Sequence, residues 1–179
     1  SRRHGGILAA ATFGLPEDRG GELNWDYRYT WIRDASFTIY AFMRLGFTEE
    51  ANAFMHWASE RVPAYVETND DTDHDPHKIL AVMYTVDGNP DLKEESLDHL
   101  KGYANSRPVR IGNEAYKQVQ HDIYGELLDG VYLSNKYGEA ISHKGWRHVI
   151  QIVDQACRDW RTPDVGIWEM RGESQHFLH

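Results

Sequence analysis

The sequence predicts an all-α fold with minor extended pieces, and three observations carry that prediction. Apolar residues recur at the period of a helix from Lys144 to Trp160 and again from Thr48 to Ala58. The short apolar runs at 7–12 and 79–86 suit a strand or a buried extended segment. Strands do not alternate with helices along the chain, no glycine-rich phosphate loop occurs, and no linker or repeat divides residues 1–179. We therefore expect one helical domain.

The first helices are predicted from a dense apolar run and an amphipathic one. The run from Asp34 to Leu45 predicts a helix buried on most sides, with Gly46 as its C-terminal stop. Thr48, followed by two glutamates, is a favourable helix start because it can cap the first turn. Pro63 would end this second helix. Its buried face is formed by Ala51, Phe54, Met55 and Ala58.

Further along, the leucine spacing between Asp91 and Tyr103 predicts a third helix. A long helical stretch is predicted from Asn113 to Tyr137, with a break near Gly130. The clearest helix is the one from Lys144 to Trp160, and its stripe places Cys157 among apolar neighbours as a buried thiol. The other residues of the stripe are Trp146, Val149, Ile150, Val153, Ala156 and Trp160.

Composition narrows the class of function. Hydrophobic residues make up 41% and charged residues 26% of the 179 residues, which is ordinary for a globular domain. A net charge of -9 argues against nucleic acid as a partner, because phosphates require a basic surface. No segment is apolar and long enough to span a bilayer, and no signal peptide is recognisable. With a single cysteine no intramolecular disulfide can form, so we expect a cytoplasmic protein. Because no segment can span a bilayer, we expect no membrane partner.

Two segments concentrate side chains that can carry chemistry. The first, Asn24 to Asp34, holds four aromatic rings, two arginines and two aspartates. Arg33 and Asp34 could grip sugar hydroxyls from two sides, one by donating and one by accepting hydrogen bonds. Alternatively, they could form an ion pair at the start of a helix, with the rings in the core.

The second segment runs from Pro163 to Gly172 and centres on Glu169. A glutamate among Trp and aliphatic residues can be desolvated, and desolvation raises the pKa of a carboxyl group so that it can act as a general acid. In the alternative interpretation, Glu169 is a surface residue paired with Arg171.

Together these motifs resemble the family 15 glycoside hydrolases. The aromatic block that ends in Trp-Ile-Arg-Asp is similar to that family's signature, and Gly166-Ile167-Trp168-Glu169 resembles its general-acid loop. Tyr103 with residues 106–113, and Tyr124-Gly125-Glu126, resemble the bacterial branch. Order and spacing fit along essentially the whole chain.

The resemblance implies an (α/α)6 barrel, of which about the first half is present, and an enzyme that removes glucose from the non-reducing end of α-linked sugars. It implies that Glu169 is the general acid. The residues that would bind the sugar or border its pocket are Tyr27, Trp31, Arg33, Asp34, Trp168, Arg107 and Arg110. No cofactor is implied.

The chain departs from the family pattern in two respects. Fungal members have a second Glu directly after the acid, where this chain has Met170. The family's general base lies well downstream, and Glu173 is too near Glu169 in sequence to take that role. The expected function is therefore an inverting, glucoamylase-like α-glucoside hydrolase in which this chain carries the acid but not the base. Glucodextranase, isomaltose-type and trehalase activities share the motifs, and a non-catalytic sugar-binding or assembly domain is the alternative.

Two further expectations follow from these departures. By itself the chain should be inactive, and the exposed helix faces of a partial barrel should promote self-association.

A metal is not expected: the acidic run from Asp71 to Asp75 imitates a calcium loop, but Pro76 replaces the required glycine and Val82 offers no carboxylate. Glu126 could support the site or face solvent, and His143 and His148 are expected at the surface.

Overall fold

The computed structural model describes residues 4–11, 15–62 and 79–175. Its helices are α1 (Ile32–Leu45), α2 (Thr48–Ser59), α3 (Asp122–Tyr137) and α4 (His143–Asp159). Two antiparallel pairs of two-residue strands accompany them. The strands are β1 (Thr30–Trp31) with β2 (Met83–Tyr84), and β3 (Glu95–Ser96) with β4 (Arg110–Ile111). The fold is thus mainly α-helical, as the sequence predicts.

The centre of the array is the packing of α1 against α3, with α2 alongside α1. Ile32 and Ile39 on α1 and Phe54 and Trp57 on α2 are fully buried, and Leu127 joins them from α3. The antiparallel pairing of β1 with β2 closes one end of this core, since Met83 is buried there as well. Burial of such large side chains contributes about 1.5–3 kcal/mol each, so this cluster holds the described helices together.

The structure extends α1 by two residues at its start and confirms its end. Gly46 adopts a left-handed conformation (φ 86°) and its N–H caps the helix, as the stop signal predicts. The expectation that α1 is buried on most sides is wrong, because Phe37, Tyr40 and Leu45 are exposed. Thr48 makes no side-chain cap on α2, which ends at Ser59. Pro63 and the acidic run 67–77 lie outside the described residues.

The predicted helix from Asp91 to Tyr103 does not form. Leu92 is buried, but Leu100 is exposed, so the leucine spacing does not define one buried face. The chain instead forms β3 and, after Gly102, a short 3₁₀ turn. Gly102 has φ 68°, and a Cβ there would lie 2.0 Å from the carbonyl oxygen of Ser106. This close approach requires glycine and folds the segment back on itself.

The predicted helix from Asn113 to Tyr137 is interrupted, but not at Gly130. A 3₁₀ turn at Glu114–Lys117 is separated from α3 by an extended stretch that begins at Gln118 (φ -76°, ψ 149°). Gly130 lies within α3 and is buried against α1. Packing of α3 on α1 outweighs the cost of about 1 kcal/mol that glycine imposes on a helix.

Helix α4 forms where the sequence predicts it, but the face that the sequence predicts to be buried is turned outward. Its buried side carries His148, Ile152, Gln155 and Asp159, and its apolar stripe is largely exposed. Cys157 is exposed, so the prediction of a buried thiol is wrong, and His148 is buried rather than at the surface. None of the helices in the described ranges is long and apolar enough to cross a membrane.

The segment before α1 is extended, as the apolar run at 7–12 suggests for its described part. Ala9 and Ala10 donate backbone hydrogen bonds to the carbonyl oxygens of Tyr29 and Tyr27, at 2.8 and 2.9 Å. This pairing lays the N-terminal segment alongside the aromatic block. It thereby helps to fix the backbone from which Tyr27 and Trp31 project.

Candidate active site

A cavity of about 770 Å³ opens where the aromatic block meets the loop around Glu169. Such a volume lies in the range of small-ligand sites, about 300–1,000 Å³. The first block supplies Trp25, Tyr27, Trp31, Arg33 and Asp34 to its wall, and the loop supplies residues 167–171. Ala9, Glu17, Leu23, Asn113 and Ala115 complete the lining. The two segments singled out from the sequence therefore converge, although 138 residues separate Trp31 from Glu169.

Glu169 is held at the cavity by two donors. The indole Nε1 of Trp31 donates to its Oε1 at 2.6 Å, and the Nη2 of Arg33 lies 3.4 Å from the same oxygen. The Glu169 side chain is 20% exposed. Both contacts use one oxygen, and within the described part of the chain Oε2 accepts no hydrogen bond, so it is available to a ligand. Glu169 also has φ 53°, in the left-handed region that side chains with a Cβ rarely adopt.

The position of Trp31 follows from the local fold. It belongs to β1, pairs with Met83 and is 2% exposed, so the indole has little freedom to move. It is also the N-cap of α1, in an extended conformation. Arg33 therefore falls in the first turn of α1, directly beside the indole that holds Glu169.

Arg33 is surrounded by oxygen acceptors. Its Nη1 donates to Gln120 Oε1 at 2.8 Å and to Asp122 Oδ2 at 3.2 Å, and its Nη2 lies 3.6 Å from Asp34 Oδ2. Burial by itself lowers the pKa of the Arg33 guanidinium, but the nearby carboxylates outweigh it and raise the pKa above its ordinary value. Arg33 is therefore a fixed positive charge with a side chain that is 14% exposed.

Asp34 and Tyr27 present polar groups to the cavity. The Asp34 side chain is 50% exposed, so its carboxylate remains available to a ligand despite the contact with Arg33. The Tyr27 ring lies 5.7 Å from the Trp31 ring. Burial raises the pKa of the Tyr27 hydroxyl, as do the negative charges of Glu17, Glu169 and Asp34. The hydroxyl thus stays protonated and can donate a hydrogen bond.

Arg171 does not pair with Glu169, so the surface ion pair considered from the sequence is not the arrangement found. Arg171 instead pairs with Glu94, with Nη2 2.6 Å from Oε2. Arg110 approaches the same carboxylate, 3.2 Å from Oε1. Both guanidinium groups lie over the ring of Trp25, at 4.1 Å for Arg171 and 4.6 Å for Arg110. This cluster ties the loop after Glu169 to β4, to the residue before β3 and to the aromatic block.

The remaining candidates differ in position. Trp168 lines the cavity but is 81% exposed, so it projects from the loop. Arg110 lies behind Trp25 and does not line the cavity, and Arg107 is exposed and also outside the lining. Glu126 is half-buried on α3 outside the cavity, and its pKa is raised by burial and by Asp122 and Asp129. No cluster of metal-ligating side chains occurs within the described residues.

Sequence reasoning missed several residues of this region. Glu17, Trp25 and Asn113 line the cavity, and Gln118 and Gln120 connect Arg33 to the Glu169 loop. A signal for the glutamines was present, because residues two apart in an extended stretch point to the same side. The helix that the sequence predicts from Asn113 conceals this signal, because residues two apart in a helix point in nearly opposite directions.

Comparison with known proteins shows the family to which the chain belongs. The chain matches the family described as Glycosyl hydrolases family 15 over residues 2–178. It is 48% identical to a trehalase of Mycolicibacterium smegmatis and 36% identical to trehalase 1 of Sulfolobus acidocaldarius. These alignments cover 97% and 98% of this chain, but 25% and 30% of the two relatives. The chain thus spans between a quarter and a third of the length of these trehalases.

A solved structure of a glycosidase variant supports the fold. It superposes with a TM-score of 0.58 at 22% sequence identity, and the match covers 94% of this chain and 40% of that one. The helical array is consistent with the first part of an (α/α)6 barrel, as the resemblance in the sequence implies. From the match over residues 2–178 and the identity to the trehalases, the chain belongs to glycoside hydrolase family 15.

Proposed function

We propose that this chain forms the acid side of the active site in an inverting, exo-acting α-glucoside hydrolase, and that trehalose is its substrate. Trehalose replaces the broader glucoamylase-like range expected from the sequence, because the similar proteins named above are trehalases. The observation that carries the proposal is the placement of Glu169. It lies in a cavity between an indole donor, a fixed guanidinium and an exposed carboxylate.

Glu169 is suited to protonate the oxygen that leaves with the second glucose. The Trp31 indole and Arg33 share its Oε1, which leaves Oε2 as the oxygen that carries and delivers the proton. General-acid assistance of this kind contributes typically about 10²–10⁴-fold to a rate. Trp168 and Tyr27, which also line the cavity, present aromatic faces against which a sugar ring can stack.

Arg33 and Asp34 are suited to hold the hydroxyl groups of the terminal glucose. A hydroxyl both donates and accepts, so a guanidinium next to a carboxylate satisfies it from both sides. The short side chain of Asp34 is half exposed to the cavity, and Arg33 keeps its charge through Asp122 behind it. This arrangement favours a neutral polyol over an anionic ligand, because the carboxylates of Asp34, Asp122 and Glu169 surround Arg33.

The general base is a separate part of the proposal. Inversion requires a second carboxylate about 6.5–9.5 Å from the acid, on the opposite side of the sugar, to activate water. Glu173 is exposed and does not line the described part of the cavity. We propose that the base comes from sequence downstream of residue 179 in the full-length protein, as the family resemblance implies. We also place that protein in the cytoplasm, where an exposed thiol such as Cys157 stays reduced.

The anomers of glucose released from trehalose test the proposal. Trehalose joins two α-linked anomeric carbons, so inversion initially gives one β-glucose from the attacked ring and one α-glucose from the leaving ring. Retention would give α-glucose twice. The measurement is ¹H NMR of the first products made by the full-length protein, with maltose, isomaltose and soluble starch as competing substrates.

Equal initial amounts of the two anomers, with trehalose preferred, are the expected result. Release of α-glucose alone would exclude inversion, and faster cleavage of maltose or starch would restore the glucoamylase-like specificity. Binding of glucose without hydrolysis of any of these sugars would favour the non-catalytic alternative.

A further inference from the structure

We propose that Gln118 and Gln120 are positioning residues that set the general acid relative to the sugar-binding arginine. This inference rests on the proposed role of Glu169. Neither glutamine reaches the cavity wall, yet together they join two of its central groups. The two glutamines and the two groups that they join form a closed circuit of hydrogen bonds.

The circuit begins and ends at Arg33. Its Nη1 donates to Gln120 Oε1 at 2.8 Å, and Gln120 Nε2 donates to Gln118 Oε1 at 3.2 Å. Gln118 Nε2 then donates to the carbonyl oxygen of Glu169 at 3.3 Å and lies 3.5 Å from that of Met170. The Glu169 carboxylate accepts from Arg33 Nη2 at 3.4 Å, which closes the circuit. Both the backbone and the side chain of Glu169 are therefore tied to the same guanidinium.

Chemistry allows the two amides a single orientation in this circuit. A guanidinium can donate but not accept, and a backbone carbonyl can accept but not donate. With these two ends fixed, each glutamine must accept through its oxygen on the Arg33 side and donate through its nitrogen on the Glu169 side. Reversing either amide would place two donors or two acceptors against each other.

Burial and backbone conformation support the same interpretation. Gln120 is 1% exposed, and a buried amide that lost its partners would cost about 1–3 kcal/mol per unsatisfied group. Glu169 has φ 53°, a conformation that persists for such a residue where the surroundings enforce it. The bonds from Gln118 to two successive carbonyl groups act at this point of the loop.

The extended break before α3 is what makes the circuit possible. Gln118 begins an extended stretch, and α3 starts at Asp122. Residues two apart in an extended chain point to the same side, so both amides face Arg33 and the loop. In a continuous helix they would lie about 200° apart around the axis, and Gln118 could not reach the loop while Gln120 held Arg33.

Substitution of Gln118 by Glu tests the inference in the full-length protein. The change keeps the shape but replaces the donor that faces the carbonyl groups of Glu169 and Met170 with an acceptor. A displaced acid should lower kcat for trehalose by about 10- to 100-fold, since misplacement by about 1 Å can cost about 100-fold. The rate with α-glucosyl fluoride, whose leaving group needs little protonation, should stay within about 3-fold of the wild type.

Three further variants make the outcome decisive. Gln118→Met, which cannot donate, should show the same selective loss. Gln175→Glu, at an exposed position beyond the loop, is the matched control and should leave both rates unchanged. Glu169→Gln reports on the proposed function itself and should lose trehalose hydrolysis more than fluoride hydrolysis.

The results separate the two hypotheses. If Glu169→Gln shows the selective loss and both Gln118 variants keep wild-type rates, the positioning role is overturned and the proposed function stands. An equal loss with both substrates in the Gln118 variants would mean a general structural defect and would also overturn it. If Glu169→Gln itself cleaves trehalose normally, the proposed function fails.

Discussion

The cavity around Glu169 and the outer face of α4 differ in which side chains they expose: two charged groups are largely buried at the cavity, whereas apolar side chains are exposed on α4. At the cavity, Arg33 and Glu169 are largely buried and paired with each other, and Arg33 is also paired with Asp122. On α4 the polar residues His148 and Asp159 face inward, while Trp146 and Trp160 are more than half exposed. The cavity around Glu169 is thus built from contacts within the described residues, whereas α4 presents an apolar face outward, as expected of a partial barrel.

The largest expected effect is the absence of hydrolysis by the isolated chain, which tests whether the described cavity is sufficient for catalysis. The isolated 179-residue chain should show no measurable hydrolysis of trehalose, maltose or isomaltose, because inversion needs an acid and a base in one rigid pocket. Glucose release by the purified chain is the assay, with its Glu169→Gln form as the control for contaminating enzymes. Turnover that disappears in the control would show that the base lies within this chain.

In the full-length protein, Glu169→Gln should lower kcat for trehalose by about 10²–10⁴-fold with little change in KM. The amide keeps the shape and can still accept from Trp31, but it cannot donate a proton as an acid. The loss should be smaller for substrates with activated leaving groups. Steady-state kinetics with both substrate types measures it, and a kcat near that of the wild type on trehalose would remove Glu169 from the mechanism.

Arg33→Lys should weaken binding of trehalose or glucose by about 10-fold or more, since a lysine keeps the charge but loses the planar fork and about one charged hydrogen bond. Titration calorimetry with glucose measures this, and Arg44→Lys, at an exposed position on the same helix, is the matched control. A collapse of the melting temperature with unchanged affinity in the folded fraction would instead make Arg33 a structural ion pair.

Self-association of the isolated chain tests whether the exposed apolar face of α4 forms contacts. We expect the chain to self-associate through its exposed helix faces and the double variant Trp146→Gln, Ile150→Gln to do so several-fold less, because two exposed apolar side chains are removed. Sedimentation velocity over a concentration series measures the change, and Asp154→Asn on the same helix is the control. Equal association of all three proteins would show that α4 is not the contact.

The last prediction concerns the polar support behind the aromatic block. Burial would raise the pKa of Asp26, but hydrogen bonds from the side chain and backbone of Arg28 outweigh it and lower the pKa. A lowered pKa means that the carboxylate stabilises the fold above its unfolded value of 3.8 and that this contribution is lost as the pH falls through the folded pKa.

Asp26→Asn should therefore lower the free energy of unfolding at pH 7 by about 1.5–3 kcal/mol, and the difference from the wild type should shrink below about pH 4. Urea unfolding at the two pH values measures this, with the exposed Asp98→Asn as control. A difference that does not depend on pH would contradict the role of the charge.

The sequence by itself determined the family, the helices with a clear period and the two segments that meet at the cavity. Residues 32–45, 48–59 and 143–159 form helices close to the predicted bounds, because their apolar spacing and the stop at Gly46 are local signals. The motifs around Arg33 and Glu169 were recognisable for a similar reason, since their side chains are consecutive in the chain. The roles assigned to the individual site residues stay predictions.

The tertiary structure decided what depends on distant partners. The period of α4 predicts a helix whichever side is buried, so the inward position of His148 and Asp159 could not be read from it. The leucines of segment 91–103 have helical spacing, but the backbone of Gly102 approaches Ser106 closely. Only the tertiary structure shows this contact. Likewise, the role proposed for Gln118 and Gln120 depends on Arg33 and Glu169, which are 136 residues apart in the chain and lie at the two ends of the paired amides. Local spacing encodes the elements, whereas burial and hydrogen-bond partners are set by which elements meet.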